Sequence, residues 1–335
     1  MNKQGLSISV IGGGSWATAI VKILLDNTQP KNVSWWLRNP QKVDYINTHK
    51  HNPDYLSSVS FEFDRLVVSN DLEESLKQSD IIILAIPSAF VYDTLNGCDK
   101  KLFANKIVVS AVKGLIPRTS EILGDYFKSA LDVDSQHIGV ITGPCHAEEV
   151  ALEKLSYLTI GSENNEAANA IANVLKGRFI KTSTTDDIYG TEYSAVLKNV
   201  YAIAAGICHG LRFGDNFQAV LVSNAIREIK RFIAAVHPIE RDIDDSAYLG
   251  DLIVTAYSQF SRNRTFGNML GKGYSVKSAQ LEMNMVAEGY YAVKTVYEMN
   301  QELKVDMPIA DFVYSVVYGG KRAKSVVDDL LDKLN

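Results

Sequence analysis

The chain has 335 residues, of which 46% are hydrophobic and 22% are charged, and its formal net charge is −5. This balance is typical of a globular protein long enough for two domains, and the acidic balance gives no basis for a broad nucleic-acid or anionic-membrane surface. The sparse cysteines Cys98, Cys145 and Cys208 form no CxxC motif, which argues against a disulfide framework or a zinc site and favours a reducing compartment.

Targeting and metal-binding signals are also missing from the sequence. The first residues, Met1 to Leu6, are polar and lead directly into a strand pattern, so no signal peptide is predicted. The apolar runs stop well short of the ~18–20 residues that a membrane span needs. The 6 histidines show no HxH or HExxH spacing, so no metal is expected. We therefore expect a soluble, cytoplasmic protein that binds no nucleic acid and does not insert into a membrane.

A glycine-rich turn follows the first predicted strand, Leu6 to Ile11. The segment Gly12-Gly-Gly-Ser-Trp-Ala-Thr18 leads into a helical pattern from Ala17 to Leu25. This order is typical of a dinucleotide-binding βαβ unit, in which Gly12 permits the tight turn and Gly14 lets the backbone approach a pyrophosphate. The helix N-terminus would present N–H groups to the phosphates. The alternative is a flexible turn without a ligand.

Arg38 follows the second predicted strand, Val33 to Leu37. NAD sites usually carry an acid about 20 residues after the glycines, to bind the ribose hydroxyls. This chain has no acid in that segment before Asp44. A guanidinium there favours the 2′-phosphate of NADP, so NADPH is the favoured cofactor. The alternative is a solvated arginine at the end of a strand.

Several further strands are predicted in the first half of the chain. The run from Asp80 to Ile86 is continuously apolar, as in a strand buried on both faces of a parallel sheet. Predicted helices cover Leu72 to Lys77 and Glu166 to Lys176. The other predicted strands are Arg65 to Val68, Ile107 to Ala111, Ile138 to Ile141, Leu155 to Gly161 and Arg178 to Thr182.

Ligands of such sheets bind beyond the carboxyl ends of the strands. The glycine turn and Arg38 fall there, and so do Lys113 and the turn at Gly143-Pro144. Lys113 is therefore a candidate functional residue, although a surface loop lysine would also fit its position.

The pattern changes to long apolar-periodic helices beyond a Ser/Thr/Asp cluster at Ser183 to Asp187. We predict an NAD(P)-binding domain over residues 1–185 and a helical substrate domain over residues 186–335. Besides the helix around Lys198, the predicted helices are Ala219 to Val236, Ala247 to Tyr257, Ser278 to Leu281, Val286 to Lys304, Pro308 to Tyr318 and Ser325 to Leu334.

Lys198 is the one charged residue in the apolar helical stretch from Ser194 to Cys208. It either reaches solvent along its own methylenes or stays buried with a lowered pKa and a partner. A buried lysine with a pKa near neutrality is suited to general acid/base catalysis. We therefore select Lys198 as the candidate catalytic residue.

Two other spots in the second half carry chemistry. Asp251 lies among apolar residues and needs a cation or several donors, with Lys198 as one candidate. The alternative is an exposed helix N-cap after Gly250. The segment Ser261-Arg-Asn-Arg-Thr-Phe-Gly267 gathers donors that suit a phosphate, although it would also fit a polar loop between helices.

The chain resembles the bacterial-type NAD(P)-dependent glycerol-3-phosphate dehydrogenases over almost its whole length. The motifs that carry the resemblance are Val10-Ile-Gly-Gly-Gly-Ser-Trp-Ala-Thr18, Val112-Lys-Gly-Leu115, Gly143-Pro-Cys-His-Ala-Glu-Glu149, Leu197-Lys-Asn199, Gly206 to Asp215, Leu249-Gly-Asp-Leu252, Ser261-Arg-Asn-Arg264 and Glu288-Gly289.

The resemblance implies an α/β fold, with an N-terminal Rossmann-like doubly wound sheet followed by an all-helical C-terminal domain. It also implies NAD(P)H-dependent reduction of dihydroxyacetone phosphate to sn-glycerol 3-phosphate, a product that supplies phospholipid synthesis. It further implies a homodimer. Lys198 takes the family's proton-acceptor position. The positions implied to bind substrate are Lys113, Gly143, Cys145, Lys198, Asp251, Ser261, Arg262 and Asn263. The positions implied to bind cofactor, with the two turn glycines Gly12 and Gly14, are Ser15, Trp16, Arg38, Lys113, Ala147, Arg262, Val286 and Glu288.

The chain departs from the family pattern at Ala17, Ala195-Val196, Cys145 and His146, and two other interpretations stay open. The family usually has Ser or Thr where this chain has Cys145, and a thiol is the weaker hydrogen-bond donor. A related two-domain dehydrogenase acting on a hydroxy acid or sugar acid would also use Arg262, to bind a carboxylate. A protein that only senses NADPH would explain the glycine turn, but not a lone lysine in an apolar helix.

Overall fold

The computed structural model describes residues 5–283 and 287–335. Over these residues the chain forms two compact units. The first comprises the described residues up to Ile86, together with Phe90–Val112 and Leu123–Ile188. The second comprises Tyr189–Asn335 and two short pieces from earlier in the chain, Pro87–Ala89 and Lys113–Ile122. Each of these two pieces follows a strand of the first unit along the chain.

One sheet organises the first unit. Its strands are β1 (Ser7–Ile11), β2 (Asn32–Trp36), β3 (Leu66–Ser69), β4 (Ile81–Leu84), β5 (Ile107–Ser110), β6 (Ile138–Thr142), β7 (Ser156–Gly161) and β8 (Ile180–Thr185). Within the described residues, their order across the sheet is β3-β2-β1-β4-β5-β6-β7-β8. The neighbouring strands run parallel, except that β7 is antiparallel to β6. All four residues of β4 are buried, as expected for an apolar strand with helices on both faces.

Three helices of this half begin at a side-chain N-cap, namely Asn39 for α2, Asp71 for α3 and Asn164 for α7, and only some of the helices were predicted from the sequence. The sequence pattern predicted α1, α3 and α7 but not α2, although Asn39 accepts hydrogen bonds from the Gln41 and Lys42 N–H groups and Pro40 follows it. Only Val43 and Ile46 of α2 are buried, so its apolar periodicity is weak. The helices are α1 (Ser15–Asp26), α2 (Pro40–His49), α3 (Leu72–Lys77), α4 (Ser88–Leu95), α5 (Leu123–Leu131), α6 (Ala147–Ala151) and α7 (Asn165–Leu175).

The second half of the chain is helical. The predicted helix Ala247 to Tyr257 is in fact a π-helical turn, Ser246–Gly250, followed by an α-helix. The segment that starts at Ser261 is not a loop but the start of another helix. The helices are α8 (Ile188–Gly210), α9 (Asp215–Val236), α10 (Asp251–Tyr257), α11 (Arg262–Gly271), α12 (Val276–Glu282), α13 (Glu288–Leu303), α14 (Pro308–Val317) and α15 (Ala323–Leu331).

Helix α8 lies at the centre of the second unit. From Ala195 to Cys208 its apolar residues are almost completely buried, in one core with residues of α9 to α15. Helix α11 packs backbone to backbone against it. A Cβ on Gly206 would overlap the Arg264 carbonyl oxygen, and one on Gly267 would overlap the Ile203 carbonyl oxygen. Such contact is open only to residues without a side chain, and it brings α11 close to the helix that carries Lys198.

No helix in the described part of the chain is long and apolar enough to cross a membrane.

Candidate active site

The glycine turn between β1 and α1 has the features expected of a phosphate-binding turn. Gly12 has φ +139°, a conformation that L side chains rarely adopt, and a Cβ there would overlap the Ala85 carbonyl oxygen. Gly14 is the N-cap of α1 and provides no capping side chain. A Cβ on Gly14 would meet no atom within 4 Å. The turn therefore leaves open space at a helix N-terminus, and this fits the pyrophosphate of a dinucleotide. Ser15 and Trp16, both expected to contact the cofactor, form the first turn of α1.

Arg38 is exposed beyond the end of β2. Its guanidinium carbon lies 5.5 Å from the centroid of the Phe90 ring, within the range of a cation–π contact. The following residue, Asn39, begins α2 and is occupied by capping that helix. Arg38 thus presents a cation that rests on one aromatic ring and remains accessible to an anion in solution.

Three other predicted positions of the first unit follow β6. Gly143 has φ +103° and is buried, Cys145 is 6% exposed and Ala147 is the first residue of α6. Cys145 and Ala147 both belong to the hydrophobic core of the first unit. The structure thus places the thiol and the alanine side chain inside the unit.

In the second unit, Lys198 forms an ion pair with Asp251, the first residue of α10. The two residues are 2% and 1% exposed. Burial lowers the pKa of Lys198 to about 7; the charge of Asp251 raises it and the charge of Lys113 lowers it. The interpretations of Lys198 as a solvent-reaching lysine and of Asp251 as an exposed cap are therefore wrong, because both charged groups are enclosed and paired. An amine with this pKa exchanges a proton readily near neutral pH.

A chain of side-chain amides connects Lys113 to three helices. Asn199 donates from Nδ2 to the Lys113 carbonyl oxygen over 2.8 Å and accepts at Oδ1 from Asn263 Nδ2 over 2.9 Å. Asn263 Oδ1 in turn accepts from the Gly289 N–H over 2.9 Å. Both asparagines are nearly buried. Their hydrogen bonds fix Lys113, the start of α11 and the start of α13 relative to the helix that carries Lys198.

The predicted phosphate-binding segment is a helix N-terminus. Ser261 caps α11 by accepting the Arg264 N–H at its Oγ over 3.3 Å. Arg262 and Asn263 form the first turn of the helix, with Arg262 partly buried and Asn263 7% exposed. The alternative interpretation of this segment as a polar loop between helices is therefore wrong, because a serine N-cap starts a helix there.

Glu288 is the first residue of α13, and its carboxylate contacts Ser88. Burial raises the pKa of Glu288, whereas the hydrogen bonds from Ser88 and the charge of Arg262 lower it. Val286, which was expected to bind the cofactor, lies outside the described residues. Within the described ranges, no group of three or more His, Cys, Asp or Glu side chains is arranged to hold a metal ion.

Asn199 and Ser88 were not among the site residues predicted from the sequence. Asn199 did carry a signal, since a buried amide in an apolar helix needs partners as much as the neighbouring lysine does. Ser88 carried none, because its partner Glu288 is 200 residues away in the chain.

A dinucleotide-binding sheet and a helical unit with a buried lysine–aspartate pair together define a two-unit dehydrogenase. The family profile described as NAD-dependent glycerol-3-phosphate dehydrogenase N-terminus matches residues 7–168, and the corresponding C-terminus profile matches residues 187–328. The chain therefore belongs to the NAD-dependent glycerol-3-phosphate dehydrogenase family.

Individual relatives agree with this assignment. A glycerol-3-phosphate dehydrogenase [NAD(P)+] of Bacillus cytotoxicus is 34% identical over 328 residues, which cover 98% of this chain and 95% of that protein. One from Clostridium botulinum is 34% identical and covers 97% of this chain and 96% of its own length. The crystal structure of the Coxiella burnetii glycerol-3-phosphate dehydrogenase superposes with a TM-score of 0.91 at 29% identity, covering 98% of this chain and 99% of that one.

Proposed function

We propose that this protein reduces dihydroxyacetone phosphate to sn-glycerol 3-phosphate with NADH or NADPH. The observation that carries the proposal is the enclosed Lys198–Asp251 pair, which holds an amine with a pKa of about 7 inside the helical unit. Family membership over nearly the full chain supports the same reaction. The division into a cofactor domain over residues 1–185 and a substrate domain over residues 186–335 is part of the proposal.

The cofactor's phosphates would bind at the glycine turn, where Gly14 leaves open space at the N-terminus of α1. When bound, the nicotinamide supplies a hydride for the ketone carbon of the substrate. The exposed guanidinium of Arg38 supports a preference for NADPH, because it offers two parallel N–H donors to a 2′-phosphate. The remaining proposed cofactor contacts are Ser15, Trp16, Lys113, Ala147, Arg262, Val286 and Glu288.

The substrate's phosphate would bind at the start of α11. Arg262 brings a guanidinium there, and Ser261 orders the helix start as its N-cap. Asn263 already donates one amide N–H to Asn199, so it offers the phosphate at most one more. Gly143 and Cys145 complete the proposed set of substrate contacts. Binding of the phosphate would restrict the position of the ketone, and orientation of this kind contributes a large part of catalysis.

Lys198 would move the proton. As an ammonium it protonates the alkoxide that develops during reduction, and as a neutral amine it accepts the proton in the reverse reaction. Asp251 keeps the ammonium populated near neutral pH, while Lys113 adds positive potential at the developing negative charge.

An assay of NADPH and NADH oxidation tests the proposal. Dihydroxyacetone phosphate is compared with a panel of 2-keto acids and oxidised sugar acids as substrates. Of these substrates, we expect only dihydroxyacetone phosphate to be turned over. At low cofactor concentration, turnover should be faster with NADPH than with NADH. Turnover with a keto acid instead would favour the hydroxy-acid interpretation. Binding of NADPH without any turnover would favour a cofactor sensor.

Three further properties of the protein remain predictions, the first from the sequence composition and the other two from the resemblance. They are a cytoplasmic location, assembly as a homodimer, and a role of the product in supplying glycerophospholipid synthesis. Gel filtration with light scattering measures the second directly.

A further inference from the structure

Ser88 binds both oxygens of the Glu288 carboxylate. Its backbone N–H donates to Oε1 over 3.1 Å, and its hydroxyl donates to Oε2 over 2.6 Å. The second distance is in the range of a charge-assisted O–H···O⁻ hydrogen bond, which is stronger than a neutral one. Ser88 is 1% exposed, so water competes little for these donors. One residue thus fixes the position of the carboxylate and also the plane of its two oxygens.

The surroundings are shaped to leave room for this pair. A Cβ on Gly114 would lie 2.6 Å from Glu288 Oε2 and 2.6 Å from Ser88 Oγ, closer than real Cβ contacts. Ser88 is also the first residue of α4, so its N–H has no acceptor within that helix. The carboxylate therefore satisfies a helix-end donor that would otherwise need another partner.

We propose that Ser88 is a positioning residue, which holds Glu288 as an oriented carboxylate that accepts a hydrogen bond from the carboxamide N–H of the nicotinamide. The inference deepens the proposed function and rests on it, since it concerns the cofactor of that reaction. A carboxylate has about four lone-pair positions, and Ser88 occupies two of them. The remaining acceptor positions suit an amide NH₂ group, which both NADH and NADPH carry.

The hydroxyl of Ser88 stabilises the deprotonated carboxylate of Glu288, to which it donates a hydrogen bond. This carboxylate form can only accept hydrogen bonds, whereas the protonated acid would also donate one. Burial raises the pKa of Glu288, and the two Ser88 donors oppose that rise, together with the charge of Arg262 on α11. Removing the hydroxyl leaves the N–H in place but takes away the shorter hydrogen bond. The pKa of Glu288 should then rise further, and its carboxylate should lose its fixed plane.

The test is a fluorescence titration of NADPH binding across a series of acidic to neutral pH values. For Ser88→Ala we expect about 10-fold weaker binding, on the scale of a lost hydrogen bond to a charged group. We also expect the acidic fall in affinity to begin at a higher pH than in the wild type. Ser88→Thr keeps the hydroxyl and should restore most of the affinity. In a Glu288→Gln background, Ser88→Ala should leave the pH profile unchanged.

Ser162→Ala is the matched control. Ser162 is also 1% exposed, and its hydroxyl donates to the Ile138 carbonyl oxygen, away from the predicted contacts. A Ser88→Ala variant that loses thermal stability like this control but keeps the wild-type affinity and pH profile would overturn the proposal, since Ser88 would then only cap a helix. The proposed substrate can fail separately. If Ser88→Ala weakens NADPH binding as expected but the wild-type enzyme does not reduce dihydroxyacetone phosphate, only the proposed substrate is refuted.

Discussion

At the residue scale, burial and one ion pair shift the pKa of Lys198 in opposite directions. Asp251 favours the ammonium and raises the pKa. The loss of hydration is the larger effect and lowers the pKa, and the neighbouring positive charge of Lys113 lowers it further. The balance brings the pKa of Lys198 to about 7. A surface lysine stays protonated at neutral pH, whereas this one populates both forms and can serve the reaction in either direction.

Asp251→Asn tests this balance. The neutral amide removes the charge that raises the pKa of Lys198, so the pKa should fall by about one unit or more. Since the proposed reduction step uses the ammonium of Lys198, the alkaline fall in the reduction rate should move to lower pH, with slower reduction at neutral pH. The measurement is kcat for dihydroxyacetone phosphate reduction against pH. An alkaline limb at the wild-type pH would show that Asp251 does not tune the lysine.

At the element scale, the close crossing of α8 and α11 determines where Lys198 and Arg262 lie within the helical unit. The sequence did not reveal α11 because its buried face consists of Asn263, Phe266, Gly267 and Leu270. These positions have helical spacing, but an amide and a glycine replace apolar side chains at two of them. Hydrophobic periodicity cannot detect such a face, although the packing needs both residues.

Gly267→Ala should separate the two helices, because its methyl group would overlap the Ile203 carbonyl oxygen. We expect a loss of about 1–3 kcal/mol in the free energy of unfolding, as for overpacked interiors. Urea denaturation measures it. Gly177→Ala is the control, since a Cβ there meets nothing within 4 Å. Equal stability of the two variants would contradict the close packing of α8 on α11.

A second element-scale feature is the cap that α9 provides for α14. Glu228 is fully buried and accepts the N–H groups of Ile309 and Ala310 over 2.7 Å and 3.3 Å. Burial raises its pKa from 4.5 to about 8, although these hydrogen bonds and Arg231 lower it. The carboxyl group is thus held next to the helix start largely in its protonated form at neutral pH.

This pKa makes stability depend on pH in a known direction. Between about pH 5 and 8 the folded protein holds a proton on Glu228 that the unfolded chain releases, so folding stability falls as the pH rises. Glu228→Gln cannot titrate and should lack this contribution. Urea unfolding of both proteins across that range should show the wild type losing stability relative to the variant. Parallel curves would mean that Glu228 titrates alike in the folded and unfolded states.

At the scale of the whole molecule, sequence patterns predicted the two kinds of architecture but not their details. Local sequence patterns predicted the glycine turn, the apolar strands and the long amphipathic helices, because each of them depends on neighbouring residues. The antiparallel direction of β7 could not be predicted in this way, because strand direction depends on pairing across the sheet. The assignment of Pro87–Ala89 and Lys113–Ile122 to the helical unit also depends on contacts between distant residues.

The same limit applies to the candidate site. Lys198 and Asp251 were recognisable because single charges in apolar segments require partners. The amide chain through Asn199 and the Ser88–Glu288 contact join residues from separate parts of the chain, and no local pattern marks them.

In the proposed mechanism, the buried amine of Lys198 moves the proton during reduction of dihydroxyacetone phosphate. The most direct test of this step compares Lys198→Ala with Lys294→Ala, a surface lysine whose partner is Glu298 one helical turn away. Both variants are assayed for turnover, and NADPH titration and thermal melting check that each remains folded. We predict that Lys198→Ala loses about 10²–10⁴-fold in kcat while NADPH binding persists, and that Lys294→Ala stays near wild type. Near-normal turnover of a folded Lys198→Ala protein would contradict the account.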